Sequence, residues 1–378
     1  MHAARILCAI AIAAALAGCA STPAPPRFAD LPWQDGRFAY DPALVTVSAQ
    51  DIFRLDPDVA ALIAEDKPMS SSPLSRTKRL LTLIFGPQRD QFAYQAGHTT
   101  VAAETWREKR GDCISLTVLA YSAARAMHLD ADMQEVGVPA LYVRQRGFEF
   151  VNHHVNLVVH VPPTSMEGKR ELVVDFNPDA PPGRLGDKLS EQAIVARVYS
   201  NLAAELLTQG RYRHAYAYLK AALANDPAHA PTYTNIALLY RREGLDAQAE
   251  RMLRVGVALG TQPETAMHAL FDLLREQGRD PEAAVVQAQL ERRQEADPYY
   301  WIARGTSALA EGRPADAVRS LLRADALVEG FGEVHRQLAI AYWQLGRRDK
   351  AREQVVMLEA ADRGSPLAPK FKKMLQTP

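Results

Sequence analysis

One cysteine, one histidine-containing segment and one aspartate have the residue types of a nucleophilic site. Cys113 precedes the apolar stretch ISLTVLAYSAARAMHL, His153 and His154 lie in VNHHVNLVVHV, and Asp175 lies in ELVVDFNPD. A sulfur nucleophile attacks an acyl carbon, an imidazole moves the proton, and a carboxylate orients the imidazole. These residues predict acyl-transfer chemistry, provided that the fold brings them together.

Cys113 is also the only cysteine expected to remain a free thiol. Residues 1–18 have a charged start, an apolar stretch and small residues at their end, which is typical of a secretory signal, and Cys8 lies within them. The sequence LAGC, ending at Cys19, resembles the lipobox of bacterial lipoproteins and implies a lipid on that cysteine. The alternative is an ordinary cleaved signal with an incidental cysteine. With no partner left for a disulfide, Cys113 is expected to be either buried or chemically used.

The N-terminus therefore predicts a lipid-anchored protein of the bacterial cell envelope. Residues 19–27 form a short proline-rich tether, and Ala20 follows the lipidated position where inner-membrane lipoproteins often have Asp. This favours the outer membrane, facing the periplasm, if the host is Gram-negative. Lys plus Arg equals Asp plus Glu, at 44 each, so no global charge predicts a nucleic-acid partner. We expect the lipid to be the sole membrane attachment, because no second long apolar stretch follows.

The elements that would position the three residues can be predicted from periodicity. Segments 48–65, 73–86 and 100–109 have helical patterns, and an apolar helical face follows Cys113. Asp112 is a good N-cap for that last helix, so Cys113 would lie at its positive end, which favours a thiolate. The Val-rich and aromatic segments 140–144, 151–161 and 171–176 predict strands of a sheet that packs on the helix.

This arrangement resembles the transglutaminase-like fold, within the wider group of papain-type Cys-His-Asp enzymes. The matching segments are RGDCISLTVLAYSAARAMHL, HVNLVV and VVDFNPD, and the resemblance runs from about Thr99 to Asp179. It implies that Cys113 is the nucleophile, that His154 is the base and that Asp175 orients the imidazole. The sequence alone leaves His153 and His154 nearly equivalent, and the family pattern favours His154.

Three other interpretations remain open for this region. Cys113 could be a small buried core residue, or one ligand of a zinc ion together with two histidines. Trp106 could line a cleft, although a buried structural role is the better prediction. The backbone N–H of Cys113 is the expected oxyanion donor, and no side-chain donor is identifiable from the sequence.

The C-terminal half contains an internal repeat of 34 residues. Glycines recur at this period at Gly210, Gly244, Gly278, Gly312 and Gly346. Alanines follow each glycine by five residues at Ala215, Ala249, Ala283, Ala317 and Ala351. The period and offset resemble tetratricopeptide repeats, in which glycine ends the first helix of each unit and the small alanine lets the second helix approach it.

We therefore predict an α+β transglutaminase-like domain followed by an all-α solenoid of about five tetratricopeptide units. The expected boundaries are 1–18 for the signal, 19–27 for the tether, 28–185 for the α+β domain, 186–195 for a linker and helix start, 196–365 for the repeats and 366–378 for a capping helix.

The predicted activity is that of a thiol peptidase or amidase acting through an acyl-enzyme, with hydrolysis favoured over transfer. The repeats would bind a protein or peptide partner in their groove. No metal or organic cofactor is implied. The alternative is an inactive transglutaminase-like binding module that serves as an envelope scaffold.

Overall fold

A computed structural model describes residues 27–65, 71–86, 91–137, 142–145, 148–151, 154–162, 170–176, 184–259 and 263–361. The predicted signal, Cys19 with its predicted lipid and nearly all of the predicted tether lie outside these ranges. His153 and the predicted capping helix 366–378 also lie outside them.

The N-terminal domain begins with short turns and helices that surround one central helix. Two 3₁₀ turns, Phe28–Asp30 and Pro42–Leu44, precede five helices, which are α1 (Ala49–Phe53), α2 (Pro57–Glu65), α3 (Pro73–Phe85), α4 (Ala102–Glu108) and α5 (Cys113–Ala126). The prediction of one helix over 48–65 is wrong, because the chain becomes extended at Arg54. Pro57 starts the second helix, and a proline disfavours helical conformation in the residue before it.

The sheet of this domain is antiparallel and has four strands in the order β7, β6, β3, β8. Its strands are β3 (Asp130–Gly137), β6 (His154–Val161), β7 (Arg170–Val174) and β8 (Arg184–Leu189). Two further pairs are the parallel β1 (Ala93–Tyr94) with β2 (Arg110–Gly111), and the antiparallel β4 (Tyr142–Gln145) with β5 (Phe148–Val151). The predicted segment 140–144 overlaps β4, which pairs with β5 and not with the main sheet. The sheet also continues to Leu189, beyond the expected boundary at 185.

Helix α5 lies in the centre of the domain. Its predicted apolar face is buried, and so are polar side chains outside that face, such as Ser115 and Thr117. Thr117 Oγ1 donates a hydrogen bond of 3.2 Å to the carbonyl oxygen of Val155 on β6, which satisfies the buried hydroxyl and fixes the helix against the sheet.

The described residues of the C-terminal part form ten helices in five antiparallel pairs. They are α6 (Glu191–Thr208), α7 (Tyr212–Asn225), α8 (Ala230–Arg242), α9 (Asp246–Leu259), α10 (Glu264–Glu276), α11 (Asp280–Ala296), α12 (Pro298–Ala310), α13 (Pro314–Leu327), α14 (Gly332–Gln344) and α15 (Arg348–Ala361). All five repeat glycines have φ between 70° and 74°, and all five repeat alanines are at most 1 % exposed. The predicted repeat of helix pairs is therefore present. The first helix begins at Glu191, within the segment 186–195 where the sequence places a linker and helix start, because Ser190 caps it.

Two separate apolar clusters hold these elements together. The first runs from Leu31 through α5, the sheet and the first three helix pairs to Leu290. The second, from Ile302 to Val355, holds the last two pairs. None of the described helices is long and apolar enough to span a membrane.

Candidate functional site

Cys113 is the first residue of α5, as the sequence predicts. Asp112 caps the helix, and its Oδ1 accepts hydrogen bonds from the backbone N–H of Ser115 at 2.9 Å and from Ser115 Oγ at 2.6 Å. The Cys113 side chain is buried, with 5 % of the residue exposed. Its sulfur accepts hydrogen bonds from the backbone N–H groups of Ile114 and Val155, so it contacts both the start of α5 and the start of β6.

His154 is the first residue of β6, and it is paired with Asp175. Its Nε2 lies 2.7 Å from Asp175 Oδ2, and His154 is only 4 % exposed. Asp175 follows Val174, the last residue of β7, which pairs with Leu157. Because these strands are antiparallel, the chain continues beyond Val174 toward the His154 end of β6, and this places the carboxylate beside the imidazole.

The structure brings the predicted residues to one location. The sulfur of Cys113 contacts the backbone of Val155, the direct neighbour of His154, and the charge of Asp175 contributes to the raised pKa of the thiol. Asp175 holds Nε2 of the imidazole, so Nδ1 remains for other contacts. This geometry is compatible with the predicted set of Cys113, His154 and Asp175, whose catalytic roles stay a prediction.

The protonation state of Cys113 differs from the expected thiolate. Burial, followed by the negative charge of Asp112, raises the pKa of Cys113 to about 12, and the amides of Val155 and Ile114 oppose this only in part. The prediction from the helix N-terminus is therefore wrong, because desolvation disfavours the charged form more strongly than the helix end stabilises it. At neutral pH the resting site contains a thiol.

Tyr94 is a further residue near this site, and the sequence analysis did not identify it. It pairs with Gly111 in the β1–β2 ladder, where Ala93 N–H donates to Lys109 O and Gln95 N–H donates to Gly111 O, both at 2.8 Å. Burial and the charges of Cys113, Asp112 and Asp175 raise its pKa. A two-residue strand has no detectable periodicity, so the only signal in the sequence is a phenol upstream of Cys113.

Trp106 has the structural role that the sequence favours. It is 9 % exposed, and the Lys109 ammonium lies 3.2 Å from the centroid of its ring. Phe92 packs beside it, with ring centroids 5.9 Å apart. In the part of the chain that the structure describes, no group of three or more His, Cys, Asp or Glu side chains is placed to hold a metal ion.

A buried polar network connects the cysteine helix to the first helix of the array. Oδ2 of Asp112 accepts hydrogen bonds from Thr99 Oγ1 at 2.5 Å and from Asn201 Nδ2, on α6, at 3.4 Å. Glu205, also on α6, accepts the backbone N–H of Thr99 at 2.8 Å. Burial raises the pKa of both carboxyl groups. The cap of the cysteine helix therefore depends partly on the array.

The segment Leu31–Val47, here called the N-terminal strap, lies on the first repeats. Lys220 Nζ donates to both oxygens of Asp35, at 2.6 and 2.7 Å. Tyr216 Oη accepts the backbone N–H of Gln34 at 2.8 Å, and Tyr240 Oη donates to Pro32 O at 3.0 Å. The strap thus uses side chains of the array as hydrogen-bond partners for its own backbone.

Comparison with known proteins identifies the repeats. Two tetratricopeptide repeat family models match residues 196–229 and 308–374. Solved structures that match part of the chain include YrrB, described as a tetratricopeptide protein with an unusual peptide-binding site (20 % identity, 47 % of this chain and 92 % of that chain, TM-score 0.26). Others are PilF of Pseudomonas aeruginosa (18 %, 49 % and 85 %, 0.26) and MamA (18 %, 45 % and 92 %, 0.24). No curated protein matches the chain. The chain therefore contains tetratricopeptide repeats, a type of array that presents binding surfaces.

Proposed function

We propose that this protein is a membrane-anchored, extracytoplasmic thiol enzyme that acts on peptide or amide bonds through an acyl-enzyme, with hydrolysis favoured over transfer. The observation that carries the proposal is the 2.7 Å contact between His154 and Asp175 next to the buried sulfur of Cys113. The lipid anchor on Cys19 and the envelope location rest on the N-terminal sequence alone.

The proposed reaction begins with a thiol and uses His154 as the base. Nδ1 of His154 accepts the proton of Cys113 as the sulfur attacks the carbonyl carbon, and Asp175 stabilises the resulting imidazolium through Nε2. The carbon–sulfur bond forms, the carbon–nitrogen bond breaks, and the leaving amine takes the proton from His154. Water then gives a proton to His154 and attacks the thioester carbon. The carbon–sulfur bond breaks, the sulfur takes the proton back from His154, and the acid is released with the thiol restored. A raised thiol pKa fits this order, because proton transfer accompanies attack.

The repeats support a docking role for the C-terminal half. Tetratricopeptide arrays bind peptides or proteins, and the strap already shows polypeptide bound to α7 and α8 through tyrosine hydroxyls. We propose that the array binds the protein substrate or a partner assembly.

A small activated ester tests the chemistry without knowledge of the substrate. Wild type treated with p-nitrophenyl acetate should release nitrophenolate in a burst that matches the protein concentration, and the acetyl group should map to Cys113 by mass spectrometry. Cys113→Ala should remove the burst. His154→Ala should slow acylation by about 100- to 10,000-fold.

His160→Ala is the matched control, because His160 lies on the same strand and pairs with another carboxylate, Asp132, at 2.9 Å. It should leave the burst unchanged. An equal loss in both histidine variants would contradict the assigned base.

The second candidate is an inactive binding module, and the burial of Cys113 favours it. A thiol that is 5 % exposed and has a pKa near 12 is also what a structural cysteine would show. In that case the wild-type protein gives no burst, and Cys113→Ala is indistinguishable from wild type in the ester assay.

A further inference from the structure

We propose that the hydroxyl of Tyr94 is an oxyanion donor, which binds the carbonyl oxygen of the substrate while Cys113 attacks the adjacent carbon. This inference rests on the proposed thiol chemistry and adds a residue to it.

The short β1–β2 ladder fixes Tyr94 beside the nucleophile. Tyr94 pairs in register with Gly111, two residues before Cys113, and hydrogen bonds of 2.8 Å lie on both sides of the pair. Strand β2 packs tightly against α5 at Gly111, because a Cβ atom there would lie 2.8 Å from Ser115 Cβ. The phenol is therefore held on the same rigid segment that starts the cysteine helix.

Tyr94 is half-buried. Within the described residues its Oη forms no hydrogen bond, so none of them competes with a substrate for the hydroxyl. Burial raises the pKa of Tyr94, and the negative charges of Asp112 and Asp175 raise it further, so the phenol stays protonated and remains a donor at neutral pH.

The backbone amides around the sulfur show why a side-chain donor is needed. The N–H groups of Ile114 and Val155 donate to the sulfur itself. They donate to the sulfur in the resting site, and the backbone N–H of Cys113 is the main-chain donor expected from the sequence. An oxyanion site usually combines at least two donors, and a phenol can supply the second.

In this step Tyr94 acts only as a hydrogen-bond donor. Sulfur forms a bond to the carbonyl carbon, the carbon–oxygen π electrons move to oxygen, and the thiol proton goes to His154. Tyr94 donates a hydrogen bond to that oxygen and keeps its own proton. When the carbonyl re-forms, the leaving group departs and the hydrogen bond weakens.

Two reactions of the same sulfur test this role. Acylation by p-nitrophenyl acetate passes through an oxyanion, whereas alkylation by iodoacetamide displaces iodide and forms none. Tyr94→Phe keeps the ring and removes the hydroxyl. We expect its acylation rate to fall by about 10- to 1,000-fold while its alkylation rate at the same pH stays within about twofold of wild type.

Tyr121→Phe is the matched control, since Tyr121 lies on α5 and its hydroxyl contacts Glu191 at 3.1 Å. It should change neither rate. Equal losses of acylation and alkylation in Tyr94→Phe would show a role in positioning the thiol and overturn the proposal. An unchanged acylation rate would also overturn it, with the thiol chemistry intact. A wild type without a burst would reject both the chemistry and the donor.

Discussion

The two ends of the array differ in what stabilises them. The proximal repeats, α6–α9, share one apolar cluster with the α+β domain, and they also carry the strap and the network around Asp112. The distal repeats, α12–α15, have an apolar cluster of their own. Repeats with the same 34-residue pattern are thus stabilised in two different ways. The surface of the proximal repeats contacts other parts of the chain, whereas the distal helix pairs are stabilised mainly by contacts with each other.

Among the described residues, the candidate site contacts the proximal repeats and not the distal ones. Asn201 and Glu205 belong to the first repeat helix, yet their hydrogen bonds reach Asp112 and Thr99 beside the cysteine helix. Loss of structure in the proximal repeats should therefore disturb Cys113, whereas loss of structure in the distal repeats should not. Three pairs of substitutions, each a variant with its comparison, test this difference between the two ends.

The largest effect is expected from Arg197→Met, at the joint between the sheet and the array. Arg197 is 7 % exposed, and it donates to Glu135 of β3 at 2.9 Å and to Asp226 at 3.3 Å. Its removal leaves two largely buried carboxylates without this partner, and the free energy of unfolding should fall by about 3 kcal/mol. Urea unfolding of the full chain, followed by circular dichroism, measures the change.

Arg279→Met is the comparison variant for this test. Arg279 also bridges two carboxylates, Glu250 and Glu282, but its side chain is 34 % exposed and lies within the repeats. Solvent screens such pairs, so the loss of Arg279 should lower the free energy of unfolding much less than the loss of Arg197. Equal destabilisation by the two variants would contradict the larger contribution to stability that we assign to Arg197.

A smaller and local effect is expected from Gly305→Ala in the distal repeats. A Cβ atom at this position would lie 2.6 Å from Leu321 Cγ, which is fully buried where α13 packs against α12. Overpacking should exceed the gain in helix propensity and lower local stability by about 1–2 kcal/mol. Hydrogen exchange by mass spectrometry should become faster in α12–α15 and remain unchanged in α6–α9.

The control on the same helix is Ser307→Ala, an exposed position whose hydroxyl contacts Glu311. It should leave exchange in the distal helices nearly as in wild type. Faster exchange in α6–α9 of the glycine variant would show that the two clusters unfold as one unit.

The repeats could be predicted from the sequence because their determinants are local and periodic. Each glycine must adopt a positive φ, and each alanine must allow two helices to approach, so both recur at fixed spacing. The helix after Cys113 was also predictable from its apolar period of 3.6, and the strand of His154 and the strand before Asp175 were predictable from their Val-rich segments. Strand β6 itself is buried on both faces over its first six residues. Strand β3 was not predicted, because its acidic and polar residues hide the alternation.

Other features depend on contacts between distant segments and have no local signal. The strap binds to Lys220 and Tyr216 across more than 180 residues of chain. The pKa of Cys113 depends on how deeply the helix end is buried, which periodicity does not reveal. The proximity of Tyr94 to the thiol similarly arises from a two-residue ladder.

The smallest expected effect is a difference in the pH dependence of stability between a variant at Asp112, in the buried network beside the cysteine helix, and a variant at Asp316 on the distal repeats. Burial raises the pKa of Asp112, so ionisation of this group opposes folding, and stability decreases as pH rises through its folded pKa. Asp112→Asn keeps an N-capping side chain and does not titrate. Relative to wild type, this variant should gain stability as pH rises.

Asp316→Asn on α13 should show the opposite sign. Hydrogen bonds from Arg313 lower the pKa of Asp316, so its ionised form stabilises the folded state above the unfolded pKa, and this contribution is lost as pH falls. Relative to wild type, the asparagine variant should therefore lose a little stability at neutral pH and none in acid. Urea unfolding of both variants at several pH values measures the two slopes. Slopes of the same sign would contradict this contrast between a carboxylate whose pKa is raised by burial and one whose pKa is lowered by an arginine partner.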